Sequence, residues 1–304
     1  MIRYITSIIL MTLFVSCGQI AKEKGDTIHI VTTTTIITDL VENIGGDKVE
    51  VTGLMGPGID PHLYKASEGD VSKLYGADLI IYSGLHLEGK LVDVFAQMER
   101  QGKQQVALGE ALDKDKLRVS DKFGGNYDPH VWFDVGFFKE MAKEAERALT
   151  EYSPENADYF KENLSSYLIE LDALEKELHK IVETLPKDKR RLVTAHDAFS
   201  YFGRAFDFDV VGLQGLSTAT EAGVKDVREI RDYILDHNVR SIYIESSVPR
   251  RTIEALQQAV LAKNHEVEIG GMLYSDALGD AGTEEGTYIG MFLYNVNTLV
   301  EGLK

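Results

Sequence analysis

Residues 153–186 read SPENADYFKENLSSYLIELDALEKELHKIVETLP and predict one unbroken helix, the longest element of the chain. Ser153 is a favourable N-cap, Pro154 suits the first helical turn, and Pro186 closes the pattern. Apolar side chains recur at steps of three and four residues: Ala157, Phe160, Leu164, Tyr167, Leu171, Leu174, Leu178, Ile181 and Leu185. At ~1.5 Å per residue, about thirty residues span about 45 Å, more than one small lobe. The stretch therefore predicts a strut between two lobes.

Strands alternate with helices on both sides of this stretch. Apolar and β-branched runs predict four strands on each side, at residues 27–35, 48–54, 77–83, 105–108, 191–195, 208–213, 241–245 and 266–269. Such alternation is typical of parallel sheets with crossover helices. We therefore predict an α/β fold of two similar lobes with mostly parallel sheets. The N-terminal lobe covers 28–152 and the C-terminal lobe 187–304, joined by one long backbone helix at 153–186.

Composition excludes several classes of protein. The formal net charge of −17 disfavours a nucleic-acid partner, which requires a basic face, and is compatible with handling cations. Low overall hydropathy excludes an integral membrane protein with several spans. The single cysteine rules out a disulfide framework within the chain.

That cysteine, Cys17, follows a short apolar segment at the start of the chain. A basic start at Arg3 precedes an apolar run over residues 4–15, which is too short to span a bilayer comfortably. We predict a signal peptide at 1–17 and a polar tether at 18–27. Because Cys17 stands at the expected cleavage point, the segment resembles a bacterial lipobox, whose thiol is lipidated. The alternative is an ordinary signal peptide with an incidental cysteine.

The tripeptide Asp-Pro-His occurs twice, at residues 60–62 and 128–130. Proline fixes its own φ and keeps the preceding residue out of the helical region, and the aspartate can hydrogen-bond its own turn. His62 and His130 are therefore presented from stiff corners, which suits metal ligands because their bond lengths tolerate little movement. The alternative interpretation is two surface turns that carry a histidine.

Two further candidates follow predicted strands of the C-terminal lobe, namely His196 and Asp276. Two ligands from each lobe would meet in a cleft between the lobes, and three imidazoles with one carboxylate suit Zn²⁺, Mn²⁺ or Fe²⁺. Asp280 is a rival for Asp276. His86 and Glu88, which follow the predicted strand at 77–83, are further candidate ligands, and His86 could instead line the site. We place Glu221 and Glu245 behind the ligands, where each could orient a histidine.

Five motifs together resemble one family. They are GPGIDPH at 56–62, GLHLE at 84–88, DPHVWFD at 128–134, VTAHDAF at 193–199 and YSDA at 274–277. The chain resembles the zinc/manganese solute-binding proteins of ABC importers, within them the TroA-like metal-binding lipoproteins. The resemblance implies two α/β lobes rigidly linked by a backbone helix, with one divalent ion, Zn²⁺ or Mn²⁺, held by His62, His130, His196 and Asp276.

The resemblance also implies partners and a location. The partners are an ABC permease and its ATPase, and the protein is an extracytoplasmic monomer, in the periplasm or at the cell surface, anchored through Cys17. In some manganese members the third ligand is glutamate, whereas here it is His196. Many zinc members carry a histidine-rich loop before the second ligand, whereas residues 113–127 contain no histidine. The physiological metal therefore stays open between zinc and manganese.

Two other functions fit the sequence less well than metal capture does. A secreted zinc-dependent hydrolase would keep an open coordination position for water, and four protein ligands leave little room for one. The chain has neither a His-Glu-x-x-His helix nor a Gly-x-Ser-x-Gly elbow. Cell adhesion has been assigned to some family members, but no stretch of this sequence encodes a partner surface. We therefore expect a binding protein and not an enzyme.

Overall fold

The computed structural model describes residues 27–120 and 123–304. The first lobe contains a four-stranded parallel sheet with the order β2-β1-β3-β4, formed by β1 (Ile28–Thr32), β2 (Val49–Gly53), β3 (Leu79–Tyr82) and β4 (Gln105–Ala107). Its crossover helices are α1 (Thr35–Gly45), α2 (Glu68–Gly76) and α3 (Val92–Arg100). The side chain of Ser67 caps α2 by accepting a hydrogen bond from the Asp70 backbone N–H, and this cap fixes where the helix begins.

The segment that follows β4 contains a pair of strands that the sequence did not predict. Residues 113–127, expected to be a loop, include a short antiparallel pair, β5 (Val119–Ser120) and β6 (Asn126–Tyr127). Strands of two residues are too short to show a periodic pattern, so no alternation of side chains could reveal them. The chain then continues into α4 (Val135–Tyr152).

The long helix is α5, which runs over Ala157–Glu183 and spans 27 residues. It begins later than predicted because Pro154–Asn156 form a separate 3₁₀ turn. Most of its predicted apolar stripe is buried, with Leu171 and Leu178 fully covered, whereas Ile181 is only half-buried. The helix therefore packs along its whole length.

The second lobe repeats the alternation. Two parallel pairs, β7 with β8 and β9 with β10, lie side by side through β7 and β9. The strands and helices of this lobe are β7 (Arg191–His196), α6 (Ser200–Phe206), β8 (Asp209–Gln214), α7 (Val224–Asp236), β9 (Ser241–Glu245), α8 (Arg251–Leu261), β10 (Glu268–Leu273) and α9 (Tyr288–Leu303).

One hydrophobic core extends through both lobes. Helix α5 contacts α1 and α4 from the first lobe and α9 from the second. The rings of Phe138 on α4 and Tyr288 on α9 stack with centroids 3.6 Å apart. Leu40, Leu171 and Phe292 belong to the same buried cluster. Because interiors of this kind are close-packed, the shared core holds the lobes in one rigid arrangement.

The predicted fold class is confirmed: two lobes with parallel sheets are joined by a long helix. The exact domain boundaries stay a prediction. Most of the predicted N-terminal features, including Cys17, the signal peptide and the tether up to residue 26, lie outside the described residues. Within residues 27–120 and 123–304, no helix is both long and apolar enough to span a bilayer.

Candidate metal centre

Four predicted ligands come together between the lobes. His62 lies in the loop that follows β2, and His130 lies just before α4. His196 is the last residue of β7, and Asp276 comes three residues after β10 ends. All four residues are buried, and the most exposed of them, His62, has only 3% of its surface accessible to solvent. Three of these side chains thus lie at or after the carboxyl ends of the parallel strands β2, β7 and β10, as expected for open α/β sheets, and His130 joins them from the segment before α4.

The four side chains converge on a common centre. Each residue offers one ligand atom, and these four atoms all lie within 4.8 Å of one another. The Nε2 atoms of His62 and His130 are 3.3 Å apart. Asp276 Oδ1 lies 3.5 Å from His130 Nε2, and Asp276 Oδ2 lies 3.3 Å from His196 Nε2. The three imidazole planes are inclined to one another by 59° to 80°, so the rings surround a common centre.

Two of the converging atoms have no hydrogen-bond partner. His196 Nε2 and Asp276 Oδ1 are buried and unpartnered. An unsatisfied buried polar atom costs about 1–3 kcal/mol, so native proteins rarely retain one without a purpose. A divalent cation at the centre would satisfy both atoms, and three imidazoles with a carboxylate are suitable donors for a borderline ion.

Two carboxylates orient His130 and His196 by contacting the Nδ1 atom of each ring, on the side away from the centre. Asp128 Oδ1 accepts a hydrogen bond from the His130 backbone N–H at 3.0 Å and lies 2.8 Å from His130 Nδ1. Glu245 Oε1 accepts a hydrogen bond from the His196 backbone N–H at 2.8 Å, and its Oε2 lies 2.5 Å from His196 Nδ1. A carboxylate at Nδ1 fixes the ring so that Nε2 faces the centre.

Glu245 therefore lies where the sequence placed it, whereas the placement of Glu221 is corrected. The Glu221 side chain is 86% exposed, and its nearest charged partner is Arg251 at 3.7 Å. It lies in the loop between β8 and α7, where the carboxylate faces solvent and not a histidine. The sequence analysis missed Asp128 in this role. The sequence signal for this role is that Asp128 lies two residues before His130. At that spacing one carboxylate can reach both the backbone nitrogen and the ring Nδ1 of the histidine.

The remaining candidates lie outside the cluster. Asp280 is exposed, so Asp276 is the carboxylate that reaches the centre. His86 is also exposed, at a backbone φ of 65°. Glu88 is buried, but it accepts hydrogen bonds from the Thr33 hydroxyl and the Ser83 backbone N–H, and so stabilises the ends of β1 and β3.

Burial and charge set the protonation of the centre. Burial, with smaller contributions from His130 and His196, lowers the pKa of His62 to about 3, although the charge of Asp276 opposes the shift. The His62 imidazole is therefore neutral, with a lone pair free to bind a cation. Burial alone would raise the pKa of Asp276, but His196 outweighs it and holds that pKa well below its usual range. The Asp276 carboxylate is therefore ionised.

His196 differs from His62. Burial alone would lower its pKa, but Glu245 and Asp276 outweigh burial and raise the pKa well above the usual value for histidine. Without a cation at the centre, the charges of Glu245 and Asp276 therefore favour the protonated, positively charged imidazole of His196, even though its Nε2 lacks hydrogen-bond geometry towards Asp276. A metal that binds at Nε2 must displace that proton.

Hydrogen bonds across the lobes fix one side of the centre. Trp132, two residues after His130, donates from Nε1 to the Ser275 carbonyl oxygen at 3.0 Å. The Tyr288 hydroxyl donates to the Trp132 carbonyl oxygen at 2.6 Å. Because Ser275 directly precedes Asp276, these bonds set the position of His130 relative to Asp276.

The family described as zinc-uptake complex component A, periplasmic (ZnuA), matches residues 30–302. The chain belongs to this family. The ZnuA match includes all four converging residues, and it confirms the resemblance to zinc/manganese solute-binding proteins.

Among the individual relatives of this chain, some are named for manganese and others for zinc. The chain is 46% identical over 290 residues to the manganese-binding lipoprotein MntA of Bacillus subtilis (strain 168), covering 95% of this chain and 94% of MntA. It is 45% identical over 275 residues to the zinc-binding protein TroA of Treponema pallidum (strain Nichols), covering 90% of this chain and 88% of TroA. The solved structure of the periplasmic zinc-binding protein TroA from Treponema pallidum matches with a TM-score of 0.88 and 44% identity, covering 91% of this chain and 99% of that one.

Proposed function

We propose that this protein is the extracytoplasmic solute-binding component of an ABC importer, which captures a divalent transition metal and delivers it to a membrane permease with its ATPase. The observation that carries the proposal is the convergence of four buried ligand atoms, two of them without a hydrogen-bond partner. His62, His130, His196 and Asp276 would hold one ion. Membership of the ZnuA family supports the same function.

Zinc and manganese both fit this donor set. Three imidazoles favour zinc, and the Irving–Williams order gives Zn²⁺ the tighter binding at a histidine-rich site. One relative is named for manganese and another for zinc. The proposal therefore covers either metal as cargo.

Capture explains the geometry better than catalysis does. A catalytic zinc ion usually has three protein ligands and an open position for water. Here four protein ligands converge, and the three histidines and Asp276 are almost completely removed from solvent. A hydrolytic site would need room for a water and a substrate, so a zinc-dependent hydrolase is the weaker alternative.

We also propose that the protein is held at the outer side of a membrane through lipidated Cys17. The support is the apolar segment that precedes Cys17 in the sequence and the name of the relative MntA, a lipoprotein. A lipid anchor would keep the captured metal close to the permease.

Metal content is the experiment that tests the proposal. Protein covering residues 18–304 is stripped with chelator, offered equal Zn²⁺ and Mn²⁺, desalted and measured by elemental analysis. We expect about one metal ion per chain, and less than a tenth of that in Asp276→Ala, because a buried ligand is lost. The matched control is Asp280→Ala, an exposed carboxylate four residues away, which should retain the ion. Wild-type protein that retains no metal would overturn the proposal.

A further inference from the structure

The carboxylate of Asp60 contacts both lobes at once. Its Oδ1 accepts a hydrogen bond from the His62 backbone N–H at 2.8 Å, which closes the turn that presents His62. Its Oδ2 accepts a hydrogen bond from the Thr218 hydroxyl at 2.5 Å. Thr218 belongs to the second lobe, in the loop between β8 and α7, and it is buried. One side chain thus joins a proposed metal ligand to the opposite lobe.

The second copy of the tripeptide shows that this link is not required by the turn. Asp128 also closes its turn through Oδ1, which accepts a hydrogen bond from the His130 backbone N–H. Its Oδ2 is buried without a hydrogen-bond partner. Both turns form through one oxygen, so the bond between Asp60 and Thr218 has a separate role.

The two sides of the metal centre are closed in different ways. On one side, Trp132 and Tyr288 connect the lobes and lead into the shared core. On the other side the contact is between loops, where Gly58 lies so close to the second lobe that an added Cβ would come within 3.3 Å of the Ser246 carbonyl oxygen. Loops can separate without disrupting the core, so this second side is where an ion could leave.

We propose that the hydrogen bond between Asp60 and Thr218 is a latch that keeps the loop side closed and sets the rate of metal release. The inference rests on the proposed function, because it concerns the ion held at the same centre. The Thr218 hydroxyl is bonded to Asp60 and would act on His62 through it, so Thr218 is a positioning residue. Burial of the hydroxyl excludes competing water, which strengthens a hydrogen bond to a carboxylate.

The test removes the hydroxyl and keeps the side-chain shape. Thr218→Val and wild-type protein are loaded with Zn²⁺ and mixed with excess chelator, and the release rate is followed by stopped-flow absorbance of the zinc–chelator complex. We expect release roughly tenfold faster in Thr218→Val, the size of effect typical for a hydrogen bond to a charged group. Thr218→Ser keeps the hydroxyl and should release zinc at the wild-type rate.

Thr220→Val is the matched control, because it makes the same chemical change at an exposed position of the same loop. It should leave the release rate unchanged. If Thr218→Val does not fold, judged by its metal-free melting temperature, Thr218→Ala takes its place. A wild-type rate in the variant without the hydroxyl, or equal acceleration in Thr218→Ser, overturns the latch. Wild-type protein that holds no zinc at all overturns the proposed function, and the latch with it.

Discussion

At the scale of single residues, the chain uses one tripeptide in two ways. The Oδ2 atom of Asp60 accepts a hydrogen bond from the opposite lobe. By contrast, Asp128 Oδ1 contacts both the backbone nitrogen and the ring Nδ1 of His130. His196 has no such tripeptide and takes its orienting carboxylate from Glu245, on a neighbouring strand. The rings of His130 and His196 are therefore oriented by different carboxylates.

The role of Glu245 can be tested without touching a proposed ligand. Glu245→Gln removes the charge beside His196 Nδ1 and changes the tautomer that the ring prefers. We expect zinc affinity, measured by competition with a chelator, to fall about 10–100-fold, as is typical when a carboxylate behind a metal ligand is lost. Glu221→Gln is the matched control, because that carboxylate is exposed, and it should bind like wild type. Equal affinities for both variants would contradict the orienting role.

At the scale of elements, the interface between α1, α5 and α9 contains a half-buried acid. Asp39 on α1 accepts hydrogen bonds from the Tyr288 backbone N–H at 3.1 Å and from the Tyr167 hydroxyl at 3.5 Å. Burial raises the pKa of Asp39 to about 6, with Glu42 adding to the rise and the bond from Tyr288 opposing it. A helix from each lobe and the connecting helix thus meet at one titratable group.

This raised pKa predicts how stability depends on pH. Between about pH 4 and 6 the native state holds a proton on Asp39 that the unfolded chain has released, so the contribution of Asp39 to stability is lost as pH rises. The Asp39→Asn variant lacks this titration. We therefore expect the difference in free energy of unfolding, metal-free Asp39→Asn minus metal-free wild type, to increase by roughly 1–3 kcal/mol from pH 4 to pH 7. Urea unfolding at several pH values measures it.

Asp158→Asn provides the control for this measurement, since Asp158 is an exposed aspartate on α5. The difference in free energy of unfolding between Asp158→Asn and wild type should stay constant over the same pH range. A flat difference for Asp39→Asn as well would mean that the Asp39 carboxyl titrates alike in the folded and unfolded chain.

At the scale of the whole molecule, the proposed ion bridges two lobes that share a core. A ligand that binds only the native state stabilises it by about 2.7 kcal/mol at a free concentration of 100 times Kd. Because the four converging residues come from both lobes, that stabilisation applies to the unfolding of the whole chain and not to one lobe.

Thermal unfolding tests this expectation. Saturating Zn²⁺ should raise the melting temperature of wild-type protein by several degrees in one cooperative transition, since about 1 kcal/mol shifts the midpoint of a large domain by roughly 2–4 °C. His62→Ala should show little shift, because it removes one of the four convergent donors. His86→Ala, at an exposed histidine, should behave like wild type. Separate transitions for the two lobes would contradict the shared core.

Local patterns were sufficient to predict most of the fold. The apolar stripe from Phe160 to Leu178 marks a helix because its spacing matches the helical repeat, whatever the chain does elsewhere. Alternation of strands and helices similarly predicts parallel sheets, and repetition of Asp-Pro-His draws attention to His62 and His130. These signals are local, so they can be found without knowing any long-range contact.

The tertiary structure alone decided which side chains meet. Glu245 ends β9 and Glu221 lies in the loop after β8, yet only Glu245 reaches a histidine, because β9 lies beside β7 and the Glu221 carboxylate faces solvent. The partnership of Asp60 with Thr218 joins residues 158 positions apart. Sequence by itself determined which elements form and which residues could bind a metal. The packing of the two lobes decided the contacts, because distances across a cleft depend on the whole core and not on the spacing of residues along the chain.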